Sequence, residues 1–194
     1  VRNQGLIIKS TDRELRVYPH AHDAPESIDK CDLVVVGLKT TANDWFAELI
    51  TPLLDGDTAI LCLQNGLGNC EQLAELFGPE RVLGGLCFVC LNRTAPGVVH
   101  HIAFGKVVLG ELGRPPAERT HAIAGLFKDA HIPCEISENL EKSQWEKLIW
   151  NIPFNGLGVA GAAGLQALES TGEDLPEALS PVMPTDQLLG NPQW

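Results

Sequence analysis

The sequence predicts an α/β fold built on a parallel sheet, and three features carry that prediction. Leu33-Val34-Val35-Val36 is an uninterrupted apolar run, the mark of a strand buried on both faces. A second apolar run, Thr58–Leu63, follows a helix-period segment and precedes another, so strand and helix alternate through short loops. Past Ser137 the strand pattern gives way to a helical one, and then to a stretch punctuated by Gly172, Pro176, Pro181, Pro184 and Pro192.

Taken in order, Gly5–Ser10 and Arg13–Tyr18 are short β-prone runs around Thr11-Asp12, which predicts a hairpin. After the Leu33–Leu38 run comes Lys39, then Thr41-x-x-Asp44, a helix N-cap signal. Trp45, Phe46, Leu49, Ile50, Leu53 and Leu54 recur at the spacing of a helix's core stripe. Asp55-Gly56-Asp57 reads as a turn before Thr58–Leu63. Gln64-Asn65-Gly66-Leu67-Gly68 is a glycine-rich loop, and Asn69–Phe77 reads as the next helix. Val82–Leu91, Val98–Phe104 and Lys106–Glu111 are expected as separate strands. Glu118–Ala130 is an amphipathic helix, Pro133–Ile136 a short strand, and a long helix starts within Ser137–Ser143 and continues past Asn151.

Composition narrows the function. The chain has 194 residues, 44% of them hydrophobic and 20% charged, which suits a folded globular protein and excludes a disordered one. Fourteen Lys and Arg against 25 Asp and Glu give a formal charge of −11. No basic stripe is present, so a nucleic-acid partner is not expected. No apolar run is long enough to cross a bilayer and no signal-peptide pattern is seen, so no membrane partner is expected either. The chain begins at Val1, and its sole methionine is Met183, so it is expected to be an internal piece of a longer protein. Its six cysteines sit among apolar neighbours, as thiols in a reducing compartment do. Cys87-x-x-Cys90 invites a metal or redox reading. On a strand, however, residues three apart face opposite ways, and no second Cys-x-x-Cys accompanies it. No metal site is expected; His20, His22, His100 and His101 read as surface or strand histidines.

Chemistry is expected at two places. Ligands of open α/β sheets bind beyond the carboxyl ends of the strands. Lys39 follows Leu33–Leu38, and Asn65-Gly66 follows Thr58–Leu63. A cation there suits an anionic ligand, and a carboxamide beside a glycine offers a donor, an acceptor and an unusual backbone turn. The plainer alternative is a solvated lysine and an ordinary turn. The second place is Lys147, Asn151 and Asn155, spaced i, i+4, i+8 and lying at about 0°, 40° and 80° on a helical wheel. Trp145, Leu148, Ile149 and Ile152 border this stripe on one side, Trp150 and Phe154 on the other. A lysine so enclosed is partly desolvated, which eases release of its proton near neutral pH. A snorkelling lysine beside two surface asparagines is the alternative. Pro153 should kink or end this helix near residues 149–153. Gly156-Leu-Gly158-Val-Ala-Gly161 matches the dinucleotide fingerprint by letter alone, because a helix precedes it where a strand is required.

Several of these segments together resemble the ketopantoate reductase (2-dehydropantoate 2-reductase) family. They are Cys31-Asp-Leu-Val-Val-Val-Gly-Leu-Lys39-Thr, Leu63-Gln-Asn65-Gly66, Pro96-Gly-Val-Val-His-His, and the Gly-Glu that ends Val107–Glu111. The most distinctive is Trp145-Glu-Lys147-Leu-Ile-Trp-Asn151-Ile-Pro-Phe-Asn155. The resemblance implies a Rossmann-like dinucleotide-binding domain over residues 1–136, its first strand missing. It implies the start of an all-helical domain for substrate and dimerisation over 137–194. The implied activity is reduction of 2-dehydropantoate to pantoate by NADPH, in pantothenate and coenzyme A synthesis in the cytoplasm. Lys147 would be the catalytic proton donor. Asn151, Asn155 and Asn65 would bind substrate, and Lys39, Asn65 and Gly66 the cofactor. The partner would be a small 2-oxo acid, with the helical part as the candidate homodimer surface. The family's glycine fingerprint belongs upstream of Val1, and a further substrate-binding Ser and cofactor-contacting Glu belong downstream of Trp194. Leu165–Pro184 resembles an insertion. The 194 residues alone are therefore expected to be inactive. A paralogous reductase of another branched 2-oxo acid, or a non-catalytic remnant of the family, are the alternatives.

Overall fold

The structure, a computed structural model, describes residues 1–149 and 151–153. The chain divides into two compact units, Val1–Trp145 and Glu146–Trp194.

The first unit is organised by a seven-stranded sheet. Its strands are β1 (Leu6–Lys9), β2 (Glu14–Val17), β3 (Leu33–Val36), β4 (Ala59–Cys62), β5 (Val82–Ala95), β6 (Val98–Glu111) and β7 (Cys134–Ile136). They lie in the order β2-β1-β6-β5-β4-β3, with β7 also paired to β6. β3, β4 and β5 run parallel, which is the alternating unit the sequence predicts. β5 and β6 then form a long antiparallel hairpin. β6 is long enough to take β1 on its first half and β7 on its second, both parallel to it. β1 and β2 form the expected hairpin around Thr11-Asp12.

Two apolar layers sandwich the parallel strands. On one face Val34, Val36, Ile60, Cys62 and Val82 meet Phe46 and Ile50 of α1 (Phe46–Ile50) and Cys70 and Leu73 of α2 (Asn69–Phe77). On the other, Ala59, Leu61, Leu83, Val107 and Leu109 meet Ile123 and Ala124 of α3 (Glu118–Asp129). Each large side chain buried this way contributes about 1.5–3 kcal/mol before the entropy of ordering is subtracted. All four residues of β4 are buried, as befits the strand flanked by neighbours on both sides.

Four expectations are corrected. β3 is not buried on both faces: Val34 and Val36 are buried, but Val35 is 49% exposed, because β3 ends the sheet's strand order and the α3 layer packs on the more central strands. The segment after Lys39 is not one α-helix capped by Thr41. It is a 3₁₀ stretch, Thr40–Trp45, then α1, then a 3₁₀ turn, Thr51–Leu53. Thr-Thr-Ala-Asn-Asp is weak helix-forming sequence and Pro52 cannot extend α1, so the tighter turns take over at both ends. Trp45, placed in the core stripe by periodicity, is instead 55% exposed. Finally, Val98–Phe104 and Lys106–Glu111 are one strand. Phe88 pairs with Lys106 and Val89 with Phe104, so Gly105, at φ 140°, is the extra residue of a bulge rather than a break.

A helix opens at residue 140, inside the predicted window. Leu140 is 3% exposed and sits over the cross-strand pair Gly84 and Gly110. A Cβ on Gly84 would stand 2.6 Å from Leu140 Cδ2, and one on Gly110 3.0 Å from Leu140 Cβ. Glycine at both positions is what lets this helix rest on the sheet. In the second unit, residues 146–149 and 151–153 are helical, Pro153 included. Asn155, the Gly156–Gly161 motif and Leu165–Pro184 lie outside the described residues, as does the greater part of the expected all-helical domain.

Candidate functional site

Because β3 and β4 are adjacent and parallel, the loops that follow them leave from the same edge of the sheet. Leu63 N–H donates to the carbonyl of Val36, the last residue of β3, at 2.9 Å, carrying the pairing one residue past β4 before the loops diverge. Lys39, Asn65 and Gly66 are all exposed along this edge. The Lys39 carbonyl accepts from Ala42 N–H at 2.9 Å, which starts the 3₁₀ turn. Gly66 and Gly68 have φ of 95° and 88°, a left-handed backbone that glycine adopts without steric cost, and Gly68 delivers the chain into the first turn of α2.

Beneath the exposed residues lies a set of carboxamides. Asn43, in the 3₁₀ stretch, donates through Nδ2 to Asn69 Oδ1 and to Gln72 Oε1, each at 2.9 Å. Its Oδ1 accepts from Gln64 Nε2 at 2.9 Å. Asn69, 5% exposed, donates through its own Nδ2 to the Asn65 carbonyl at 3.1 Å. Two buried thiols floor this network. Cys62 donates to Gln64 Oε1 at 3.5 Å, and Gln144 Nε2 donates to Cys70 Sγ at 3.8 Å. Hydrogen bonding to Cys62, reinforced by burial, pushes the Cys70 thiol well above the usual range, so it stays neutral.

Lys147 and Asn151 belong to the second unit, one helical turn apart on one face and both half-buried. Of the described residues on the predicted apolar border of that face, Ile149 is 70% and Ile152 64% exposed. Asn155 is outside the described residues. Sequence reasoning found the two loops but missed Asn43, Asn69 and Gln72, because amides in a loop and an amphipathic helix look like solvated polar residues until a fold buries them. It read Glu111 only as part of the Gly-Glu that ends a strand, and did not foresee that its charged side chain is buried among Arg114, Arg119 and Thr120.

The Cys87-x-x-Cys90 pair lies on β5 with Cys87 half-buried and Cys90 exposed. Among the described residues no group of three or more His, Cys, Asp or Glu could hold a metal ion. Of the histidines, His101 shares a hydrogen bond with Ser10 at 3.0 Å and His22 one with Ser27 at 2.8 Å. Among the described residues no helix is long and apolar enough to cross a membrane.

Residues 1–114, which hold the sheet edge and both loops, match the family model described as Ketopantoate reductase PanE/ApbA. The chain belongs to the ketopantoate reductase family. It is 38% identical over 165 residues to a 2-dehydropantoate 2-reductase of Nostoc sp., a match covering 82% of this chain and 52% of the relative. A 2-dehydropantoate 2-reductase of Halobacterium salinarum is 31% identical over 156 residues, 80% of this chain and 51% of the relative. Among solved structures, the 2-dehydropantoate 2-reductase of Geobacter metallireducens superposes with a TM-score of 0.78 at 46% identity, over 81% of this chain and 52% of that one. The chain thus spans about half the length of the relatives it matches, and the α/β fold with a Rossmann-like sheet is theirs.

Proposed function

We propose that the protein containing this chain reduces 2-dehydropantoate to pantoate with NADPH, a cytoplasmic step toward pantothenate and coenzyme A, and that Lys147 donates the proton. The observation that carries this reading is the 38% identity, sustained over 82% of the chain, to a relative bearing that activity in its name. The residues of the β3–β4 edge fit a phosphorylated dinucleotide. Lys39 supplies a cation, Asn65 a carboxamide, and Gly66 and Gly68 a left-handed turn at the entry to α2. A Cβ on Gly68 would meet nothing within 4 Å, so the backbone there is open to close approach by a ligand.

When bound, the dinucleotide supplies the hydride that reduces the ketone. The remaining work falls to this chain's side chains. Lys147 holds a proton at Nζ and gives it to the substrate oxygen as negative charge builds there, its ammonium stabilising that charge beforehand. Asn151, one turn along, and Asn155 donate amide hydrogens to the substrate's carboxylate and hydroxyl. Asn65 holds the substrate end of the cofactor edge, and Lys39 neutralises part of the cofactor's charge.

The test is NADPH consumption by the purified gene product with a panel of 2-oxo acids. The highest kcat/KM is expected with 2-dehydropantoate and with NADPH over NADH. Lys147→Ala is expected to lower kcat by about 10²–10⁴, the range for loss of a general acid. Preference for a different 2-oxo acid would move the assignment to a paralogous reductase. Unchanged kcat in Lys147→Ala would remove the lysine from the chemistry.

A further inference from the structure

We propose that Asn43 is a positioning residue that sets the orientation of Asn65, by locking the β3 loop to the β4–α2 loop through the amide of Asn69. The proposal rests on the reading that Lys39, Asn65 and Gly66 receive the dinucleotide, and adds a residue that touches none of it. Asn43 belongs to the segment that follows β3, yet its three side-chain hydrogen bonds all go to the segment that follows β4, at Gln64, Asn69 and Gln72. Both protons of its Nδ2 and its Oδ1 are engaged, so the side chain has one satisfactory orientation.

That orientation is handed on. Because Asn43 donates to Asn69 Oδ1, the amino end of Asn69 must face the other way, where it donates to the Asn65 carbonyl at 3.1 Å. Asn69 is 5% exposed and so has little water to exchange partners with. On the other side, Ala42, next to Asn43, donates its N–H to the Lys39 carbonyl. The Asn43 carboxamide therefore acts on Asn65 through a side-chain relay, while the turn at Lys39 is held separately by the backbone bond from Ala42.

A relay of this kind differs from mere packing in what Asn43→Asp does. The aspartate keeps the size and still accepts from Gln64, but it turns a donor into an acceptor. Asn69 Oδ1 and Gln72 Oε1 then face a carboxylate. Asn69 relieves the conflict by turning its amide over, which withdraws the hydrogen bond from Asn65. Asn43→Ala removes the bonds without forcing that turn. The expected order of damage to cofactor affinity is thus Asp greater than Ala, the reverse of what lost side-chain contacts alone would give.

The experiment measures steady-state KM for NADPH and for 2-dehydropantoate, NADPH affinity by calorimetry, and amide hydrogen exchange of residues 64–68, in wild type, Asn43→Ala, Asn43→Asp and Arg119→Ala. Among the described residues Arg119 bonds only to Glu111, on the α3 side of the sheet, and it controls for lost stability. The expected result is NADPH KM raised about tenfold in Asn43→Asp and less in Asn43→Ala, the scale of one lost hydrogen bond. Exchange at 64–68 should quicken in both Asn43 variants, and neither change should appear in Arg119→Ala. NADPH KM unmoved by Asn43→Asp, or moved equally by Arg119→Ala, would overturn the proposal. If wild type does not turn over 2-dehydropantoate, the functional reading fails, while calorimetry and exchange still decide the role of Asn43.

Discussion

Glu111 is the most heavily committed side chain in the described structure. It is 1% exposed, and its two oxygens accept from Arg119 Nε at 3.0 Å and Nη2 at 2.6 Å, Arg114 Nε at 3.1 Å and Nη2 at 2.9 Å, and Thr120 Oγ1 at 2.6 Å. Burial alone would push its carboxyl up, but the hydrogen bonds from Arg119, Thr120 and Arg114 together outweigh it and hold the group below its ordinary value of 4.5. A depressed pKa in the folded state means stability that is complete above about 4.5 and lost as the pH falls through the folded value. Glu111→Gln keeps the shape and loses the charge. Both arginines are partly exposed and can turn to water, so the expected cost at pH 7 is about 3 kcal/mol, the low end for a broken buried pair. Urea unfolding of the two proteins from pH 7 to pH 3 checks this: the gap between them should narrow below pH 4.5, and a gap independent of pH would deny the carboxylate its role. Nothing in the local sequence marks Glu111 as buried. It closes an apolar strand and is followed by Leu-Gly-Arg, and only the return of α3 brings the second arginine and the threonine to it.

At the scale of elements, the parts legible in the sequence are those whose burial is uniform. β4 is buried at every position and falls within the expected Thr58–Leu63, and α2 carries its core stripe on one face with the expected bounds. What resisted reading depends on partners far along the chain. Gly105 looks like a strand breaker until β5 offers a pairing that tolerates one extra residue. Gly84 and Gly110 look like weak points in two strands until Leu140 settles on them. This packing predicts a specific non-additivity. Gly84→Ala should destabilise the fold by about 1–3 kcal/mol through overpacking, and Leu140→Ala by about 2–5 kcal/mol through the void it leaves. The double variant should cost less than the two losses combined, since the new methyl occupies part of the space that leucine vacates. Denaturant midpoints of the four proteins make the comparison, and strict additivity would mean that the helix opening at 140 does not rest on this glycine pair. The candidate site shows the same division. The shared edge of the two loops was legible because adjacent parallel strands end on the same side, whereas the amide network was not, because Asn43 meets its partners 21, 26 and 29 residues away.

Across these 194 residues, a net charge of −11 has to be reconciled with the proposed polyanionic cofactor and carboxylate substrate. Either the summed field repels the ligand and binding wins elsewhere, or attraction is local and the distant charge is screened. The sheet separates these cases. Lys39 follows β3 at one end of the strand order, and Asp12 lies in the β1–β2 turn at the other. At least four strand spacings of about 4.8 Å separate those ends across the sheet, more than two Debye lengths at physiological salt, where each is about 8 Å. In addition, β1 joins β6 opposite Arg93, whereas β4 joins β5 at Val82–Gly84. Lys39→Gln and Asp12→Asn shift the net charge by one unit in opposite directions. Under local attraction, Lys39→Gln should weaken NADPH affinity about tenfold at 0.15 M salt, the worth of one charge-assisted contact. Asp12→Asn should leave it within twofold. Lowering the salt to 0.01 M stretches the Debye length to about 30 Å, and only then should Asp12→Asn begin to strengthen binding. Calorimetry of both variants at the two salt concentrations decides the matter. Equal and opposite shifts at 0.15 M would assign the binding electrostatics to summed charge and leave Lys39 as one cation among the fourteen of these 194 residues.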